Sequence, residues 1–133
     1  MSTKSDFVSK KQAVAMEKTI VVKSENLIDF SLTPCLSGDV VEALDIPEGA
    51  FVESVVVDVL LAEAGNVTVG DGDSATGWDT TVSVASTGAT VGDGAYVKGK
   101  VYRANDTIDL TLDADMNSGK VNVFAIYSQL ENS

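Results

Sequence analysis

The chain has 133 residues, 44% of them hydrophobic, and sets nine lysines and arginines against twenty aspartates and glutamates for a net charge of −11. That length suits one domain, and a chain of this size buries roughly two thirds of its unfolded surface without staples. There is no histidine and a single cysteine, Cys35, so the commonest general base and metal ligand are missing, an internal disulfide is excluded, and a zinc site would lack its ligands.

No apolar run approaches the ~20 residues of a membrane span. The acidic balance repels phosphate backbones and anionic lipid. Neither nucleic acid nor membrane is an expected partner, and no cofactor is expected. The first eleven residues are polar with mixed charge and contain no apolar core of a secretion signal. Synthesis in a reducing cytoplasm is expected.

Residues 1–15 read as a basic arm, either extended or a short helix capped by Ser5. Lys4, Lys10 and Lys11 mix with Phe7, Val8 and Val14 at a spacing that fits neither the helical nor the strand period. Residues 1–23 hold five lysines against Asp6 and Glu17, whereas residues 24–97 hold thirteen acids and no base. A basic arm on an acidic body suits a tether to neighbouring protein.

Residues 16–133 read as one β domain. Thr107 to Asp113 alternates without a fault and sets Ile108, Leu110 and Leu112 against Thr107, Asp109, Thr111 and Asp113. Thr19 to Lys23, Leu27 to Leu32, Asn66 to Val69 and Thr80 to Val84 read the same way. Turn signals separate them at Ser37-Gly38, Gly65-Asn66, Gly70-Asp71-Gly72, Gly92-Asp93-Gly94 and Asn117-Ser118-Gly119. Many short strands at this spacing predict an all-β, single-domain antiparallel β-sandwich, jelly-roll-like or a small barrel. No helix is predicted after residue 18.

Two strands are apolar on both faces. Phe51 to Ala64 places Phe51, Val55, Val57, Val59 and Leu61 on one side and Val52, Val56, Leu60, Ala62 and Ala64 on the other. Lys120 to Leu130 places Val121, Val123, Ala125 and Tyr127 against Phe124, Ile126 and Leu130. A strand of this kind needs cover on both faces, from a crossing arm, from long loops or from another subunit.

The stretch from Ser37 through Ile46-Pro-Glu-Gly49, the valine strand that follows, and Thr68-Val-Gly-Asp-Gly72 up to Trp78 resemble the small head decoration (cement) proteins of tailed bacteriophages. Tyr102 to Ala114, with its Asn-Asp-Thr-Ile-Asp-Leu-Thr-Leu-Asp run, is similar to the same family's penultimate strand pair. The resemblance covers residues 37–127 and leaves out the arm. It implies a β-sandwich, often trimeric, bound to the major capsid protein on the outer capsid surface at local three-fold positions. The virion is then the expected location, with synthesis in the host cytoplasm.

Ile46-Pro47-Glu48-Gly49 reads as a tight turn, with proline first among the central residues and glycine after it. Asp71-Gly-Asp73-Ser-Ala-Thr-Gly77 has the flavour of a calcium loop, but Ala75 and Val82 stand where oxygen ligands are needed; a surface hairpin fits better. Trp78 is expected to cap the core edge or to anchor a contact. From Ala95 to Arg103, Val97 and Val101 are predicted inward and Tyr96, Lys98, Lys100 and Tyr102 outward, as a basic and aromatic stripe. Such a stripe either protects an edge strand or meets an acidic neighbour. Cys35, beside Pro34, reads as a small apolar residue.

The sequence therefore predicts a non-enzymatic virion protein that decorates and stabilises the capsid. Its expected partner contacts are Lys4, Lys10, Lys11, Trp78, Tyr96, Lys98, Lys100 and Tyr102, and its expected self-association is a homotrimer. A tail- or fibre-associated β-module contacting the host and a carbohydrate-binding β-sandwich are the alternatives.

Overall fold

The structure, a computed structural model, describes residues 19–130. The arm and its lysines Lys4, Lys10 and Lys11 lie outside the described residues. Nine strands follow in chain order: β1 (Thr19–Asp29), β2 (Val40–Ile46), β3 (Phe51–Leu61), β4 (Asn66–Gly70), β5 (Asp79–Ser83), β6 (Gly88–Val91), β7 (Lys100–Val101), β8 (Asp106–Leu112) and β9 (Lys120–Leu130). No helix occurs among the described residues.

The strands form two antiparallel sheets. One runs β1-β9-β3-β6, with β7 also paired to β3, and the other runs β2-β8-β4-β5. The pairs β1·β9, β2·β8, β3·β6 and β4·β5 are the two halves of one long antiparallel ribbon. Rolling that ribbon lays β9 beside β3 and β8 beside β4. The result is an eight-stranded jelly roll with β7 added at one edge. The sheets stay open, so the jelly-roll alternative holds and the small barrel does not.

Alternation explains the core. Val57 and Val59 on β3, Val121, Val123 and Ala125 on β9, Val67 and Val69 on β4, and Ile108, Leu110 and Leu112 on β8 are all buried between the sheets. Their number, with Trp78, Tyr102 and Phe30, makes one contiguous core, and burial of this kind contributes about 1.5–3 kcal/mol per large side chain.

The strand reading of β3 needs correcting at both ends: a shift between Val59 and Leu61 sets Leu61, 52% exposed, outward beside Lys120, and a second lies near the start. There the register shifts between Val52 and Ser54, a bulge that inserts one residue and changes the face of everything before it. Val52 therefore joins Val55, Val57 and Val59 inside, and Phe51 points out with Val56. Leu27 to Leu32 is not a separate strand: β1 runs on to Asp29, whose carboxylate accepts the Ser31 N–H at 2.9 Å and starts a turn. The Pro47 turn is displaced by one residue, because Ala50 N–H donates to the Pro47 carbonyl (3.2 Å). Pro47 precedes the two central residues, and Gly49, at φ +90°, takes the second of them.

One turn is held by a feature the sequence did not announce. Glu63 accepts the backbone N–H groups of Asn117, Ser118 and Gly119 at 2.7–3.2 Å across the turn between β8 and β9. Partial burial pushes its carboxyl up, but the three backbone donors outweigh that and hold it below the usual carboxylate range. Glu63→Ala is expected to cost about 1 kcal/mol, since these donors turn back to water. Urea unfolding checks this: the midpoint should fall with no change in slope.

Candidate interaction surfaces

The loop Asp71 to Gly77 joins β4 to β5 and builds the densest polar cluster of the fold. Asp71 caps its own loop. Its Oδ1 accepts the N–H groups of Asp73 (2.9 Å) and Ser74 (3.0 Å), and its Oδ2 accepts the Lys100 ammonium (2.7 Å) and the Tyr102 hydroxyl (2.6 Å). The Trp78 indole N–H donates to the Tyr102 hydroxyl at 2.9 Å. Lys100 also reaches Asp73 at 2.9 Å and lies 4.5 Å over the Tyr96 ring and 4.6 Å over the Tyr102 ring. Gly77 leaves the space the Tyr96 ring fills; a Cβ there would collide with the ring. Tyr96 meets Trp78 edge-on at 5.4 Å.

The electrostatics follow from this crowding. Burial pushes the Asp71 carboxyl up, but the donors from Lys100, Tyr102 and the loop backbone prevail and hold it below the usual carboxylate range. Burial works against the charge on Lys100, yet Asp71 and Asp73 hold its ammonium protonated well above the ordinary lysine range. Burial and the neighbouring Asp71 push the Tyr102 hydroxyl up, so it stays a donor.

Carboxylate oxygens of Asp71, Asp73 and Asp106 lie within 4.8 Å of one another, a grouping that can hold a cation. Five protein donors, the Tyr96 hydroxyl at 3.5 Å among them, already fill the acceptor positions of Asp71. Asp106 accepts the Gly72 and Thr107 N–H groups. The cation of this cluster is Lys100 itself.

This geometry corrects the stripe predicted for Ala95 to Arg103. Ala95 to Lys98 forms a turn in which Val97 and Lys98 are both exposed, and only from Lys100 to Tyr102 are the two faces exchanged. Lys100 pairs with inward Val52, and Val101 pairs with outward Phe51. Tyr102 and Trp78 are buried, Lys100 is nearly so, and Val97 and Val101 are exposed. Tyr96 is half-buried and Lys98 exposed. Trp78 and Tyr102 have no surface to offer a partner; they belong to the core at the closed end of the sandwich. What inverts the strand is the pairing of Lys100 with a carboxylate 29 residues away, which no local pattern contains.

The outer faces of the two sheets differ sharply. On the four-stranded sheet the outward residues are mostly polar: Thr107, Asp109 and Thr111 on β8, flanked by Glu42 and Asp45 on β2 and Thr68 on β4, with Val40 the apolar exception. Burial and the nearby carboxylates Glu42, Asp106 and Asp71 raise Asp109 despite a 2.6 Å hydrogen bond from Thr107. On the five-stranded sheet the outward rows are Val101–Phe51–Ser128–Val21, then Ser54–Ile126–Lys23, then Val91–Val56–Phe124–Glu25, then Ala89–Asp58–Asn122–Leu27 and Leu61–Lys120–Asp29. Apolar side chains dominate the first three rows, with Val21 69% and Val91 58% exposed, and charged ones enter the last two.

The sequence matches no family model and no curated protein. The fold does match solved structures. A chain in the acidic stable capsid structure of Helicobacter pylori bacteriophage KHP30 superposes with TM-score 0.62 at 17% identity, covering 89% of this chain and all of that one. A chain of the cyanophage Pam1 capsid asymmetric unit gives 0.68 at 20% identity, covering 84% and 86%. A chain of the capsid of Ralstonia phage GP4 gives 0.61 at 14% identity, covering 86% of each. The chain has the fold of small β-rich proteins found in phage capsids, in agreement with the resemblance read from residues 37–127.

Proposed function

We propose that this protein is a non-enzymatic structural component of a phage virion that decorates the capsid by binding the major capsid protein lattice from outside, as a homotrimer. The observation that carries this reading is the pairing of an acidic jelly roll, shared with chains of three phage capsids, with one broad apolar sheet face left open. A strand apolar on both faces needs a second layer, and an assembly supplies it. Small interfaces of this kind gain strength from several copies acting together.

Two observations disfavour a carbohydrate-binding module and an enzyme. A carbohydrate module needs exposed aromatic platforms, but Trp78 and Tyr102 are buried and Tyr96 is half-buried against Lys100. Asp71, whose side chain is fully buried, is saturated by donors and poised for no proton transfer.

The test is occupancy on capsid shells stripped of this protein. Binding should weaken as salt rises, because exposed charges are screened over ~10 Å at 0.1 M. Lys98→Glu should lower occupancy, since Lys98 is exposed and lies beside the acidic body. Deleting residues 1–15, with Lys4, Lys10 and Lys11, should weaken binding and leave the β domain folded. Recovery of the protein from tails alone would replace the decoration reading with the tail-module one.

A further inference from the structure

We infer that copies of this chain meet through the outer face of the five-stranded sheet. This deepens the homotrimer reading by naming the surface, and it rests on that reading's self-association, not on capsid binding.

Three observations choose a second copy as the occupant. The first is charge. On a chain of net −11, most surfaces of two copies repel. The outer face of the four-stranded sheet carries Glu42, Asp45 and Asp109 with no base. The outer face of the five-stranded sheet sets Lys23 and Lys120 against Glu25, Asp29 and Asp58. Lys23 pairs with Glu25 at 3.2 Å and covers the Phe124 ring at 4.5 Å; Lys120 lies 3.7 Å from Asp29. The two lysines offset two of the three carboxylates, so two copies meet less repulsion here than on the other sheet, whose three carboxylates have no base beside them.

The second is area. β1, β3 and β9 are each eleven residues long, about 36 Å at the strand rise, and four strands are about 19 Å wide. The face is therefore on the order of 700 Å², close to the ~800 Å² per partner of a stable interface. The third is shape. A single extended segment preceding β1 is about 10 Å across with its side chains and would cover only half that width. A facing sheet covers all of it. Three such faces turned to a common axis close a triangular prism, which gives each copy its missing layer.

Sedimentation velocity at about 50 μM, where mass action favours assembly, tests this with matched variants. Val21→Asp and Val91→Asp each place a carboxylate on the face at an exposed position. Val40→Asp makes the same change on the other sheet, where Val40 is 56% exposed. The wild type and V40D should sediment as oligomers. V21D combined with V91D should sediment as a folded 13.9 kDa monomer, with the apparent dissociation constant raised at least tenfold and an unchanged circular dichroism spectrum. A monomeric wild type, or V21D/V91D as associated as V40D, would overturn the inference. So would loss of association on deleting residues 1–15 alone, which would make that segment the cover. A monomer that still protects shells would sink this inference and leave decoration standing. An oligomer that protects none would do the reverse.

Discussion

Lys100→Met is expected to destabilise the fold by about 3–5 kcal/mol, the cost of leaving one partner of a buried ion pair unpaired. The Asp71 side chain is fully buried and that of Lys100 only 16% exposed, so solvent cannot replace the lost ammonium. For a domain of this size the loss corresponds to a drop of about 10–20 °C in Tm. The pH dependence separates charge from packing. Asp71 has a folded pKa below its ordinary 3.8, so its contribution is present above that value and is lost as pH falls through the folded one. Lys100 has a folded pKa above its ordinary 10.5, so its contribution is complete below 10.5 and is lost only as pH rises past that. The gap between wild type and variant should be widest between those two values. It should narrow in acid, where a proton neutralises the stranded Asp71. Asp71→Asn placed in the Lys100→Met background should recover part of the loss at neutral pH. A gap that stays constant from pH 3 to pH 8 would mean that Lys100 acts through packing alone.

Trp78→Ala should cost a similar amount, about 3–5 kcal/mol for an aromatic side chain removed from a packed core. Trp78 is fully buried, meets Tyr96 edge-on and donates to Tyr102. Its removal leaves a cavity and takes a donor from the hydroxyl that holds Asp71. Trp78→Phe keeps most of the volume but not the indole N–H, so it should recover more than half of the loss. Equilibrium unfolding in guanidinium measures both. Equal loss in the two variants would put the hydrogen bond, not the cavity, in charge of this end of the sandwich.

Much of the fold was legible because strand alternation is a local property. Thr107 to Asp113 announces β8 almost residue for residue, and Lys120 to Leu130 announces β9 with both its faces. Phe124 and Ile126 lie half-buried on the outer side of the sheet, where the alternation placed them. The misreadings arose where one residue or one distant partner decides the outcome. The bulge between Val52 and Ser54 moved Phe51 outward, and nothing between Ala50 and Val55 marks it. Strand β6, Gly88-Ala-Thr-Val91, is too short and too exposed to carry a pattern. Lys98 is exposed as expected, but Lys100 was misplaced because lysine was assigned to solvent by type, whereas Asp71 draws it inward together with Tyr102. Asp71 to Gly77 was read as a surface hairpin with only the flavour of a calcium loop, and Asp71 and Asp73 do take a cation, the Lys100 ammonium, which no local pattern shows.

Capsid shells with and without this protein, heated in parallel, test the central claim most directly. A ligand that binds only the assembled lattice stabilises that lattice by mass action, by about 2.7 kcal/mol at a hundredfold excess over Kd. Decorated shells should release their DNA at a higher temperature than bare ones, adding purified protein back should restore the difference, and raising the salt should reduce it. Bare and decorated shells that open at the same temperature, with the protein demonstrably bound, would contradict a stabilising role.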